Sequence, residues 1–281
     1  MFDISEVLPD LPRINIVDIG AMSLGEGTEP YHKLMELGIA DIVGFEPIKE
    51  EWEKLISTAP PNYRYFPYFI GDGKSATFHE CNYPMTSSLY EPNTKLLDKF
   101  QNLENLVQVV KKTRVETKCL DDIDDIGDID LLKIDVQGAE LDVLKGARKS
   151  LKNCLIIHTE VEFVPLYKNQ PLFSDIDFYL RKSDFYFHKF AGLMGRMFKP
   201  LFDKRDINIW ISQTLWSDAV YVSNFMKLAQ LSENKLTKLA IILHSVYESY
   251  DLCLATLIEL DKKANTKLAE EYLSRLSVQA S

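Results

Sequence analysis

Apolar and polar positions along this chain switch repeatedly between two periods. Residues 13–20 (RINIVDIG) form a short buried-type run that carries Asp18 and stops at Gly20. Residues 29–38 (EPYHKLMELG) show helical spacing and end in Gly38, the residue type favoured just past a helix. The alternation continues through a second strand at 41–47 (DIVGFEP), a helix at 50–57 (EEWEKLIS) and a third strand at 62–73 (NYRYFPYFIGDG). Further on, 131–138 (LLKIDVQG) and 154–163 (CLIIHTEVEF) read as strands, with a helix between them at 139–151 (AELDVLKGARKSL). Such alternation implies right-handed crossovers and a doubly wound α/β fold, with a mostly parallel sheet between layers of helices. Residues 185–190 (FYFHKF) and 207–213 (INIWISQ) have no strong helix between them and predict an antiparallel pair at one edge.

Beyond residue 222 the strand signal stops. Residues 223–281 carry apolar positions at helical spacing only, so the chain divides into an α/β domain, 1–222, and a helical C-terminal extension, 223–281. The extension's apolar stripe must be covered by the α/β domain or by a second copy, which makes a homo-oligomer one expectation.

Composition narrows the functional classes. The formal net charge of −10 argues against a nucleic-acid partner, because phosphate binding draws on lysine and arginine. The first residues lack the basic and apolar regions of a signal peptide, and no apolar run approaches a membrane span. Cys81, Cys119, Cys154 and Cys253 are scattered, with neither zinc spacing nor a disulfide framework. These features predict a cytoplasmic enzyme or binding protein without a metal site. The acidic run at 120–130 (LDDIDDIGDID) lacks EF-hand spacing and reads as a solvated turn.

Ligands bind outside the carboxyl ends of parallel strands. Four acidic residues fall there: Asp18, Glu46, Asp72 and Asp135. Any one of them has a plain role as a cap or turn residue, but the fold would gather all four along one rim. Glu46 stands where a nucleotide-binding sheet holds ribose hydroxyls, and Asp72 where an exocyclic amine would be met. These positions suggest an adenosine ligand. The first loop, 20–30 (GAMSLGEGTEP), lacks G-x-G-x-x-G and places Glu26 and Glu29 where they would repel a pyrophosphate. That disfavours a nicotinamide dinucleotide and leaves room for a sulfonium cation, as in S-adenosylmethionine.

The motifs VDIGA, GFEP, IGDG with ATFHEC, TSSLYEPN and, above all, LKIDVQGAELDVLKGA resemble the FkbM-type family of S-adenosylmethionine-dependent methyltransferases over residues 13–215. The resemblance implies the class I methyltransferase (Rossmann-like) fold. It also implies O-methylation of a hydroxyl on a sugar, glycan or secondary metabolite. Carried onto this chain, Asp18, Gly20 and Ala21 would line the methionine and ribose side. Glu46, with Pro47, would hold the ribose, Gly71 and Asp72 the adenine, and Asp135 would stand beside the transferring methyl.

A hydroxyl acceptor needs a general base. Asp135 and Glu160 are the foremost candidates, followed by Glu162, with His158 and His188 behind them. Alternation puts His158, Glu160 and Glu162 on one face of their strand, and His158 also reads as a core histidine bonded to backbone. Glu140, in a first helical turn, suits a structural role at the helix dipole. Residues 86–90 (TSSLY) suit either a flap over the ligand or a surface turn. The rival to an enzyme is a binding or scaffolding protein that keeps the fold, has lost catalysis and acts through its helical tail. Retention of all four rim carboxylates favours the enzyme.

Overall fold

Runs that are apolar on both faces become the strands of one sheet. In the computed structural model, which describes residues 2–22, 25 and 27–279, β1 spans Ile14–Ile19, β2 Ala40–Phe45, β3 Tyr63–Phe66, β4 Ser75–Cys81 and β5 Val109–Glu116. They are followed by β6 at Leu131–Ile134, β7 at Ile156–Glu162, β8 at Phe185–Gly195 and β9 at Thr214–Ser223. Glu26 of the acidic first loop lies outside the described residues. The main sheet has the order β3-β2-β1-β6-β7-β9-β8; pairs from β3 to β7 are parallel, and β9 is antiparallel to both neighbours. The order reverses between β1 and β6, the position at which such sheets open a crevice. β4 and β5 form a separate antiparallel pair.

The helices are α1 (His32–Glu36), α2 (Lys49–Thr58), α3 (Thr94–Leu97), α4 (Leu103–Leu106), α5 (Glu140–Lys145), α6 (Phe173–Lys182), α7 (Glu233–Ser245), α8 (Tyr250–Ala264) and α9 (Leu268–Gln279). Gly38 closes α1 as expected, with a φ of +69° that a side chain would resist. Among the described residues, no helix is long and apolar enough to cross a membrane.

Burial on both faces explains the apolar runs. Ile14 and Ile16 of β1 share one core with Ile42, Leu131, Ile156 and the apolar face of α7 and α8. Val17 and Ile19 turn to the other side, into a core with Val43, Leu132, Ile134, Ile157 and α5 and α6. The C-terminal helices therefore cover one face of the sheet.

Three readings from the sequence change. The second member of the antiparallel edge is β9, not residues 207–213. In that segment Asp206 accepts from the Asn208 amide at 2.8 Å, and Ile207 and Ile211 stay exposed, so a turn replaces the strand. The third strand is also shorter, because Pro67 cannot continue the ladder and the chain leaves the sheet after Phe66.

The acidic run, finally, is not wholly solvated. Its last member, Asp130, is fully buried. It accepts from the Asn15 amide at 2.9 Å and pairs with Lys235 at 2.9 Å and Lys238 at 2.6 Å. Both lysines lie on α7, so one carboxylate ties the sheet to its helical cover. Removing one member of a buried ion pair leaves the other charges uncompensated. Asp130→Ala should lower stability by roughly 3–5 kcal/mol in denaturant unfolding of the full chain. A loss too small to measure would mean that α7 is held by apolar packing alone.

Candidate active site

The ends of β1, β2 and β6 are stitched together by backbone. Gly20 and Ala21 donate to the Phe45 carbonyl at 3.0 and 3.1 Å, and the Asp135 amide donates to Ile19 at 2.9 Å. Gly20 has a φ of +81°, and a Cβ there would lie 1.9 Å from the Asp135 carbonyl oxygen. Only glycine lets the two strands meet this closely.

A cleft of about 130 Å³ opens above this junction. Gly20, Glu46, Pro47 and Asp135 line it, as do Lys133 and Gln137. Its apolar wall comes from Phe45, Tyr68, Phe69, Ile70 and Phe78. Phe45, Phe66 and Tyr68 stack in a ladder with centroids 5.8 and 5.6 Å apart, and Phe78 packs edge-on to Phe69 at 4.9 Å. Pro84, Met85, Ser87, Ser88 and Leu89 close the far side, so the 86–90 segment lies at the cleft. Ser88 is buried and donates from Oγ to the Gln137 carbonyl at 2.6 Å.

The other expected residues sit apart from the cleft lining. Asp18 is buried beneath it; its Oδ2 accepts from the Tyr31 hydroxyl at 2.5 Å and its Oδ1 lies 3.1 Å from Lys133 Nζ. Burial raises the Asp18 pKa, against the pull of Lys133 and the Tyr31 hydrogen bond. Ala21 is buried next to Gly20. Gly71 holds its loop by donating to the Lys118 carbonyl at 2.9 Å. Asp72 is engaged by Lys74, through its amide at 3.2 Å and its ammonium group. Burial opposes the charged form of Asp72, but Lys74 holds its pKa below the ordinary value.

Glu46 is almost fully buried, and its Oε1 accepts from the Ile48 amide at 2.7 Å. Burial pushes its pKa up to about 7, partly offset by that hydrogen bond. Asp135 is partly exposed and accepts from Gln137 Nε2 at 2.9 Å. The same amide group donates to Glu160 Oε2 at 2.7 Å, which places Glu160 behind the cleft wall, one side chain from Asp135. Burial raises the Glu160 and Glu162 pKa values, and neighbouring carboxylates add to the shift. His158 is buried as a core histidine, but its partners are the Tyr247 hydroxyl at 3.2 Å and Asp218 at 3.7 Å rather than backbone. His188 bonds Ser249 Oγ at 2.7 Å, within the helical cover.

Sequence reasoning passed over Lys133. Its ammonium is buried, donates to the Gly20 carbonyl at 3.0 Å, and lies 3.1 Å from Asp18 and 3.9 Å from Asp135. Burial works against this charge, yet Asp18 and Asp135 outweigh it and raise the pKa. The signal was present: a single cation inside an otherwise apolar strand, LLKI, requires a buried partner.

The methyltransferase FkbM domain matches residues 18–187, more than half of the chain. The chain belongs to this family. It is an S-adenosylmethionine-dependent methyltransferase of the FkbM type. Among curated proteins nothing matches. Among solved structures, the chain is similar to the magnesium protoporphyrin IX methyltransferase (ChlM) from Synechocystis PCC 6803 with bound SAM. That likeness has 10% identity and a TM-score of 0.36, and covers 77% of this chain and 75% of that one. A putative methyltransferase from Thermoplasma acidophilum is similar at 9% identity and a TM-score of 0.37, over 76% of this chain and 69% of that one.

The residues of this FkbM methyltransferase fit an adenosyl sulfonium. The cleft pairs an aromatic wall with a buried carboxylate at a strand end. Loss of the charge in Glu46→Ala should weaken S-adenosylmethionine and its demethylated product by roughly 1–3 kcal/mol in calorimetry. Hydroxyl donors favour the ionised carboxylate, which forms as pH rises through about 7. Affinity for the demethylated product should therefore increase from pH 6 to pH 8 by up to about tenfold more in the parent than in Glu46→Gln. Parallel pH profiles for the two proteins would take Glu46 out of the site.

Proposed function

We propose that the chain O-methylates a hydroxyl on a sugar, glycan or secondary metabolite. The observation that supports this reading is the partly exposed Asp135 carboxylate in the cleft wall, held by Gln137 beside the Gly20 junction. When bound, S-adenosylmethionine supplies a methyl group on a positively charged sulfur. Glu46 would accept from the ribose hydroxyls, and Tyr68, Phe69 and Phe78 would exclude water from the adenine side. Asp135 would accept the acceptor's hydroxyl proton and orient its oxygen for in-line attack. Positioning supplies most of the rate in such a displacement, and a base adds to it. Glu160, behind Gln137, is the alternative base. The net charge of −10 gives little attraction for a phosphate backbone, and the proposed acceptor is a small molecule or glycan in the cytoplasm.

Methyl transfer from labelled S-adenosylmethionine to a panel of sugars and polyols, with products located by mass spectrometry, tests the reading. Asp135→Asn should lower turnover by roughly 100- to 10,000-fold, with much less change in cofactor affinity. Glu160→Gln, made in parallel, tests the alternative base. Transfer to nitrogen or carbon only, or full turnover in Asp135→Asn, would overturn this assignment.

A further inference from the structure

A second acidic site lies behind the cleft. Glu140, in the first turn of α5, and Glu160 and Glu162, alternate residues at the end of β7, each bring one carboxylate oxygen within 4.8 Å of the others. Glu140 and Glu162 are each only 1% exposed. The Oε1 of Glu140 accepts from the Val136 amide at 3.0 Å and the Gly138 amide at 3.1 Å. Its Oε2 is buried without a hydrogen-bond partner, and so is Glu162 Oε2, although the Gln170 side chain lies near enough to Glu162 to oppose the rise of its pKa. Among the described residues, none of the three carboxylates forms an ion pair with a lysine, arginine or histidine. The further charge that acts on all three is negative, from Asp135.

Three carboxylates packed this closely cannot all be ionised in the interior without a counter-charge. Either they share protons or they share a cation. The spacing leaves room for a cation: opposed oxygen ligands with bonds of about 2.4 Å lie about 4.8 Å apart, so three oxygens no farther apart than this can reach one ion. The frame around them is already set. The two backbone amides orient Glu140, and Gln137 Nε2 orients Glu160, while Gln137 Oε1 accepts from the Tyr167 hydroxyl at 3.1 Å. Gln137 holds this position from a left-handed backbone, φ +57°, which a glutamine adopts only against strain. Ligands braced by outer hydrogen bonds in this way are characteristic of cation sites.

We propose that Glu140, Glu160 and Glu162 bind one divalent cation of the hard, oxygen-preferring class. The ion offsets most of the cluster's charge and fixes Gln137, and through it the Asp135 side of the cleft. This departs from the sequence reading, which expected no metal. The E-x-E pair on β7 carried no recognised spacing, and its third member, Glu140, comes from another element.

The test needs no acceptor. Full-length protein, stripped with EDTA, is titrated with Mn²⁺ and the free ion followed by electron paramagnetic resonance, with Mg²⁺ and Ca²⁺ as competitors. Melting is recorded with and without each ion. The expected result is one Mn²⁺ per chain, displaced by Mg²⁺ or Ca²⁺, with a melting temperature that rises with ion concentration. Glu162→Gln should weaken binding at least tenfold and lose the melting shift. Glu160→Gln, at the least buried member, serves in its place if the Glu162→Gln chain does not fold. Absence of Mn²⁺ binding to the parent overturns the proposal whatever the variants do, and the cluster then shares protons. Binding unchanged in a folded variant also overturns it, because the ion then sits elsewhere.

Discussion

The buried ammonium of Lys133 is the charge on which the rim depends. β1 and β6 are neighbours at the reversal of strand order, and each ends beside a carboxylate, Asp18 and Asp135. Two such groups near one apolar junction would repel each other. Lys133 stands between them, and its bond to the Gly20 carbonyl also fastens the turn that leaves β1. The cleft above this junction keeps its shape because the strand ends beneath it cannot separate without stranding charge. Tyr31, from the loop leading into α1, completes the arrangement by donating to Asp18.

A single side chain connects the cleft to the interior behind it. Gln137 gives one side-chain amide group to both Asp135 and Glu160, and its backbone carbonyl receives Ser88 from the segment that closes the cleft. The Asp135 side of the cleft is therefore built from the end of β6 and the 84–89 segment, with β7 behind it through Glu160, whereas the Glu46 side draws on β2 and the aromatic chain after β3. The two halves meet at Gly20 and Lys133.

Much of the sheet was legible because strands buried on both faces leave unbroken apolar runs, as in β1, β6 and β7. Glu46 and Asp135 were legible because each breaks such a run at its end. The β4–β5 pair was not: β5 reads VVKKTRVE and is largely exposed, so it lacks the apolar face that marks a strand. β9 was missed because the neighbouring INIWIS segment alternates better, and only the Asp206 turn shows why that segment leaves the sheet. Asp72 reads like Glu46 as the end of a strand, but β3 stops at Phe66, and the nearby Lys74 occupies the carboxylate, a partnership that spacing alone does not reveal. The Glu140, Glu160 and Glu162 cluster joins residues from two elements, and linear spacing carries no record of such a meeting.

The central claim is that the β1–β6 junction shapes an adenosyl-sulfonium site rather than a dinucleotide site. Isothermal titration of the full chain with S-adenosylmethionine, its demethylated product and NAD, side by side, tests it most directly. The account predicts saturable one-to-one binding of the first two and none of NAD. Binding of NAD, or no heat from either adenosyl ligand with a folded protein, would contradict it.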